Sequence, residues 1–325
     1  MSYSFLRESK LYIVYGGNKY RIYTSTAISF NQTFAEESYS VKTLHDQSKM
    51  FEGSSITKAN PASFSFDVPL TIETDDNGKH WESIVIDLVS DLDTSQQLKS
   101  FTIYIQTGSS TFKLESAVIT GATFDFVPQN QFTVRLEGQG TKLSRVGNES
   151  FDIDDAESIS SNAPFTISGS SAEEFTTRTP LIVYPVITAD SLNMNNILSV
   201  NLQIQNNIEW TPYETLHNSL SVTNSSNAMF PSAYTVGTRI TSGEIRQYQT
   251  DSNITQFDDF STNTDLTIKA IQVGKAFNAT PFFQIQVNPV MYTARMQVAD
   301  VYTQSYDFRS LDNTNSLATQ ITQYS

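Results

Sequence analysis

The sequence predicts a mainly β protein built as two tandem β-barrel or sandwich domains, each with one flanking helix. Three observations carry this. Apolar residues alternate along short runs and rarely recur at helical spacing. Shifted by 172 positions, the chain matches itself, so that Leu11–His45 falls on Val183–His217. A length of 325 residues suits two domains better than one. Within the overlap Tyr12 meets Tyr184, Val14 meets Val186, Glu37 meets Glu209, and Thr43-Leu44-His45 meets Thr215-Leu216-His217. Ile28 and Phe30 fall on Val200 and Leu202. Further on, Phe112-Lys113-Leu114 meets Phe283-Gln284-Ile285 at an offset of 171. A shared offset over this span marks a duplicated unit.

The first unit opens with Leu11–Tyr15 and Lys19–Tyr23 around Gly16-Gly17-Asn18, a hairpin signature. Strands follow at Ile28–Phe34, Ser63–Leu70, Phe101–Thr107, Thr111–Ile119 and Ala122–Val127, and Phe132–Leu136 closes the unit. In Ser63–Val68, Phe64, Phe66 and Val68 share one face, while Ser63, Ser65 and Asp67 share the other. One segment has helical period: in Glu82–Leu92, Ile84, Val85, Leu88, Val89 and Leu92 form a stripe.

The second unit predicts strands at Leu181–Ile187, Leu198–Gln205, Thr238–Gln247, Leu266–Val273, Phe282–Val287, Tyr292–Val298 and Val301–Phe308. Its helix falls at Asn253–Phe260. Residues 149–179, rich in Ser and acids, read as a linker between domains at 1–148 and 180–325. Each unit also has a long insertion after its Thr-Leu-His, at Lys42–Ala62 and Glu214–Gly237. Loops of this length are usually functional or disordered. Both contain an apolar pair on a polar stretch, Met50-Phe51 and Met229-Phe230. Such a pair suits docking on another surface, or packing back on its own domain.

The net charge is −14, and both halves are acidic. Residues 1–162 carry 13 basic against 21 acidic side chains, and residues 163–325 carry 7 against 13. Phosphate neutralisation needs a basic surface, so nucleic-acid binding is not expected. The absence of cysteine excludes disulfides, thiolate zinc sites and thiol catalysis. The first ten residues lack the apolar stretch of a secretion signal, and Ile84–Val89 is far too short to cross a membrane.

Chemistry finds little support. His45 and His217 occupy equivalent positions, but neither has a second ligand at useful spacing. His80 follows Asp76-Asn77-Gly78, a turn signal. Asp152-Ile-Asp-Asp-Ala-Glu157 lacks the central Gly and terminal Glu of a helix-loop-helix calcium site. No Gly-rich phosphate loop, nucleophile elbow or H-E-x-x-H is present. No enzyme activity, cofactor or metal is expected.

The element order (hairpin, long loop after the third strand, further strand, single helix, three strands) resembles the tail tube protein of long-tailed phages. The doubled chain resembles the siphophage version with a duplicated tube domain, over nearly its full length. The resemblance implies homotrimeric, pseudo-hexameric rings that stack into a tube, inner strands closing around a lumen, and loops reaching the next ring. It implies a virion protein assembled in the host cytoplasm, with itself and other tail proteins as partners and DNA passing without specific binding. On that basis Asp67, Asp125, Glu137, Glu244 and Asp307, opposite the apolar strand faces, are candidate lumen residues. Met50, Phe51, Met229 and Phe230 are candidate inter-ring contacts. The rival readings are another phage structural module, such as a baseplate component or adhesin, and a carbohydrate-binding β protein.

Overall fold

The chain is described here from a computed structural model. It covers residues 9–16, 18–22, 26–42, 50–74, 80, 82–90, 97–106, 110–146, 179–189, 194–210, 230–231, 233–253, 264–298, 300–310 and 319–323.

Apolar residues on alternate positions make each strand bury one face. The N-terminal half holds β1 (Lys10–Tyr15), β2 (Asn18–Ile22), β3 (Ile28–Asn31), β4 (Phe34–Lys42), β5 (Met50–Ala59) and β6 (Ala62–Pro69). After the helix α1 (Ser83–Val89) come β7 (Phe101–Gln106), β8 (Thr111–Phe126), β9 (Thr133–Gly140) and β10 (Lys142–Val146). The C-terminal half holds β11 (Val183–Ala189), β12 (Ile197–Trp210), β13 (Tyr234–Tyr248) and β14 (Thr264–Gln272). It ends with β15 (Phe283–Gln297), β16 (Thr303–Ser310) and β17 (Thr319–Gln323).

The strand order is the same in both halves. The first runs β3-β6-β9-β8-β7-β1, with β10 added on β8. The second runs β12-β13-β16-β15-β14-β11, with β17 added on β15. A backbone ladder joins them: β8 pairs β12, with Phe126 opposite Val200 and Gly121 opposite Gln205. One connected sheet of 15 strands results, and β4 and β5 form a separate two-stranded ribbon.

The long strand β8 serves two layers. Its N-terminal part pairs β7 and β10, and its C-terminal part pairs β9 and β12. The change of partner coincides with a register irregularity between Ile119 and Gly121. Bulges of this kind bend strands from one sheet to another. The layers close on a shared core, where Phe64 of β6 meets Phe101 of β7 edge-on at 5.9 Å. Phe283 of the second half lies within 5.8 Å of the rings of Phe124, Phe126 and Phe132 of the first.

Several expectations change. No closed barrel forms among the described residues; open sheets face each other in sandwich fashion. The two predicted strands at Thr111–Ile119 and Ala122–Val127 are one, β8, and those at Phe282–Val287 and Tyr292–Val298 are likewise one, β15. The insertion at Lys42–Ala62 is mostly strand, because β5 returns along β4 with Lys42 opposite Met50 and Phe34 opposite Ala59. The helix spans seven residues, shorter than Glu82–Leu92, and six of its residues are buried. The proposed second helix falls, after Asn253, outside the described residues, as does the linker up to residue 178.

Candidate functional site

Eight strands in the order β3-β6-β9-β8-β12-β13-β16-β15 present one continuous polar face. Their other face is core: Phe64, Phe66, Phe124, Phe126, Leu136, Leu202, Ile245, Tyr306 and Phe308 are all buried. With period two, every residue between these points away from the core.

All five predicted acids lie on this polar face. Asp67 opposes Arg135, Glu137 opposes Ser65, and Asp125 opposes Asn201. Glu244 and Asp307 oppose each other across β13 and β16. The β8–β12 ladder places Asp125, Asn201, Glu244 and Asp307 in one row across the junction of the halves. The amide of Asn201 donates to the Asp125 carboxylate, which ties the halves together on this face.

Sequence reasoning missed the cations interleaved with these acids. Arg135, Arg246, Arg295 and Arg309 have the same parity on their strands. Arg135 Nε donates to Asp67 at 2.8 Å, and Arg295 lies 2.6 Å from Asp307. The Asp67 carboxylate raises the pKa of Arg135, with smaller contributions from Asp125 and Glu137. Glu209 of β12 shares this parity and is exposed, so six acids against four arginines leave a net −2 on the described eight-strand face, and most of the chain's negative charge lies elsewhere. The rest of the face is largely Ser, Thr, Asn and Gln. Arg135 lies 68 residues from Asp67 in sequence, and Arg295 reaches Asp307 only across the β15–β16 ladder, so no local signal revealed them.

The other candidates separate. Met50 and Phe51 are the first residues of β5, opposite Lys42 and Val41. Phe230 lies beneath the Lys142 ammonium at 5.1 Å, a contact within the chain. Met229, His45 and His217 fall outside the described residues, as does Asp152–Glu157. His80 packs edge-on against Phe282 at 4.3 Å, at the seam of the halves. Burial lowers its pKa against the opposing pull of backbone hydrogen bonds from Thr71–Glu73. Among the described residues no group of three or more His, Asp or Glu is placed to hold a metal ion. No described helix is long and apolar enough to cross a membrane.

The seam is extensively bonded. Arg239 of β13 donates to the Val89 carbonyl at 2.8 Å and the Ser90 carbonyl at 3.3 Å, meeting the C-terminus of α1 with positive charge. Asn206 donates to the Ile119 carbonyl at 2.9 Å, and Trp210 Nε1 to Gln139 at 2.7 Å. Among the described residues the arrangement is a broad, bonded, polar sheet.

No curated protein matches the chain. A family model does match, over residues 1–325, and this full-length match identifies the chain as a member of the Bacteriophage Baseplate Tube Protein Family.

Proposed function

We propose that this phage structural protein is non-enzymatic and self-associates into rings of three chains, stacked into a tube that conducts DNA during ejection. In each ring the two halves alternate, giving a near six-fold outline from three copies. The polar face of the eight-strand path lines the bore, with Asp67, Asp125, Glu137, Glu244 and Asp307 among the lining residues. The observation that carries this is the doubled strand order joined by one backbone ladder. Two equivalent halves in series make a repeat that a rotation can extend, and a heterologous contact with the right rotation closes a ring.

In its finer form the proposal makes this the tail tube of a siphophage-type particle. The family match favours a second form, a shorter tube segment within the baseplate, contacting other tail proteins at its ends. Electron microscopy of the concentrated protein separates the two. Long tubes support the first, and one or a few stacked rings support the second. Mass measurement should give three chains per ring; six chains per ring would overturn the role assigned to the duplication. Ring stacking is assigned to the Met50-Phe51 and Met229-Phe230 segments. The variant F51S/F230S should keep rings but lose stacking, and normal stacks would remove these segments from the interface.

A further inference from the structure

The chain contains its own junction between halves, and its two outer edges are the unfilled equivalents of that junction. Aligning the ladders places Ile28 and Phe30 of β3 at the positions of Val200 and Leu202 of β12. It places Met296, Val298 and Tyr302 at the positions of Phe124, Phe126 and Phe132. In the internal junction these residues are buried: Phe124 and Phe126 are 0% exposed, and Phe132 is 1%. At the free edge Met296 is 37% exposed, Val298 66% and Tyr302 47%. Val200 and Leu202 are covered, whereas Ile28 and Phe30 border an open apolar cavity of about 350 Å³ completed by Ile105, Phe112 and Leu143. Phe34, which follows β3, is 47% exposed; its counterpart Asn206 is buried and bonded to β8.

The backbone gives the same result. Among the described residues β3 pairs β6 alone. From Thr293 to Gln297, β15 pairs β16 on one side and no described strand on the other. The corresponding part of β8 is paired on both sides, with β9 and β12. An unpaired strand edge with exposed apolar residues on its core side is a template for another strand.

We propose that β15 of one copy pairs antiparallel with β3 of a second copy, in the register of the β8–β12 ladder. Val298 then opposes Ile28, Met296 opposes Phe30, and Gln297 opposes Ser29. The partner's Met296 and Val298 enter the cavity bordered by Ile28 and Phe30, as Phe124 and Phe126 cover Val200 and Leu202. Phe132 N–H donates to the Leu181 carbonyl at 2.8 Å, and in the second copy Ser9 stands at the Leu181 position beside Tyr302. The polar face then runs unbroken from one chain into the next. This deepens the ring reading and rests on it for closure only; the pairing itself follows from the internal junction.

The chain has no cysteine, so introduced thiols report alone. Mixing S29C protein with Q297C protein under mild oxidation should give a cross-linked heterodimer, since Asn201 and Asp125 touch at the equivalent places. The pair S29C and M291C, displaced by six residues along β15, should cross-link at least about tenfold less. Equal cross-linking of both pairs, or none, overturns the register. A second test uses M296D/V298D, which alters exposed residues and should leave the thermal melt within a few degrees of the parent while abolishing self-association. Parent-like association of this variant also overturns the proposal. Tubes without the S29C–Q297C cross-link would sink the edge pairing and leave the tube reading standing. Cross-linked oligomers that never form tubes would do the reverse.

Discussion

Phe64 covers Gly138. The two residues oppose each other across β6 and β9, and a Cβ on Gly138 would stand 2.3 Å from Phe64 Cζ and 2.2 Å from the Val118 carbonyl oxygen. In the second half Gly243 opposes Phe308 across β13 and β16, where a Cβ would meet Phe308 Cζ at 2.6 Å and the Asn201 carbonyl at 2.1 Å. Ladder alignment makes Phe64 equivalent to Gly243, and Gly138 equivalent to Phe308. Each half keeps one ring and one bare backbone at this level, on opposite strands. Close packing explains the constraint: one aromatic ring fills the space, and two would not fit.

A reciprocal swap tests this. Gly138→Ala should destabilise by about 1–3 kcal/mol through overpacking. Phe64→Gly should cost at least about 3 kcal/mol through the cavity it leaves. The double variant F64G/G138F removes the ring but not the Val118 carbonyl, so it should recover only a minor part of the loss. Thermal melts of the four proteins form a double-mutant cycle. A double variant as stable as the parent would show that the ring, and not the backbone, is what requires glycine at 138.

Arg239 should matter more than its place within β13 suggests. Its guanidinium bonds two carbonyls at the C-terminus of α1, a helix whose sequence supplies no basic residue in its last turn. Charge-assisted hydrogen bonds of this kind are worth about 1.5–3 kcal/mol. Arg239→Ala should lower stability by that order, and R239K should restore only part of it, since one ammonium does not reproduce the planar fork. An R239A melt matching the parent would show that the contact is incidental.

The sequence made the alternating core strands legible, because Phe64, Phe66 and Val68 are buried while Ser63 and Ser65 face away. The insertion Lys42–Ala62 was read as a loop because Glu52, Gly53, Ser54 and Ser55 interrupt any apolar alternation along it. β8 was split because Thr120 and Gly121 interrupt its apolar rhythm where the strand changes layer. The five acids were placed on one face by parity alone, but the Asp67–Arg135 and Asp307–Arg295 pairs depend on register between strands, which a single sequence does not state. The junction of Phe126 with Val200 was equally hidden, since nothing local marks which edges meet.

His80 should make the seam sensitive to mild acid. Its folded-state pKa lies below the usual 6.5 because burial disfavours the imidazolium, despite opposing help from backbone hydrogen bonds and Glu73. Above the unfolded pKa both states are neutral and the group contributes no pH dependence. As pH falls below about 6.5 the unfolded chain takes up a proton that the folded chain resists, so stability declines until the folded pKa is passed. Melting temperature should therefore fall between about pH 7 and pH 5, and this slope should be shallower in His80→Gln. An unchanged slope in the variant would show that His80 does not set the acid sensitivity.

The polar face gives the sharpest test of the conduit. Its ten charged residues leave a net −2, and two of its arginines are held by Asp67 and Asp307. A near-neutral lining of Ser, Thr, Asn and Gln gives phosphates little to hold, and its slight negative balance offers no counterion release to drive binding. Asp125, Glu137 and Glu244 can be changed without breaking either ion pair. The variant D125K/E137K/E244K turns the face from −2 to +4, because each substitution changes the charge by two. Assembled particles of this variant should retain DNA at low salt and release it as salt rises, with the steep dependence that phosphate contacts impose. The parent should retain none under either condition. A parent that binds DNA, or a variant that does not, would remove the polar face from the bore while leaving the sheet architecture as it stands.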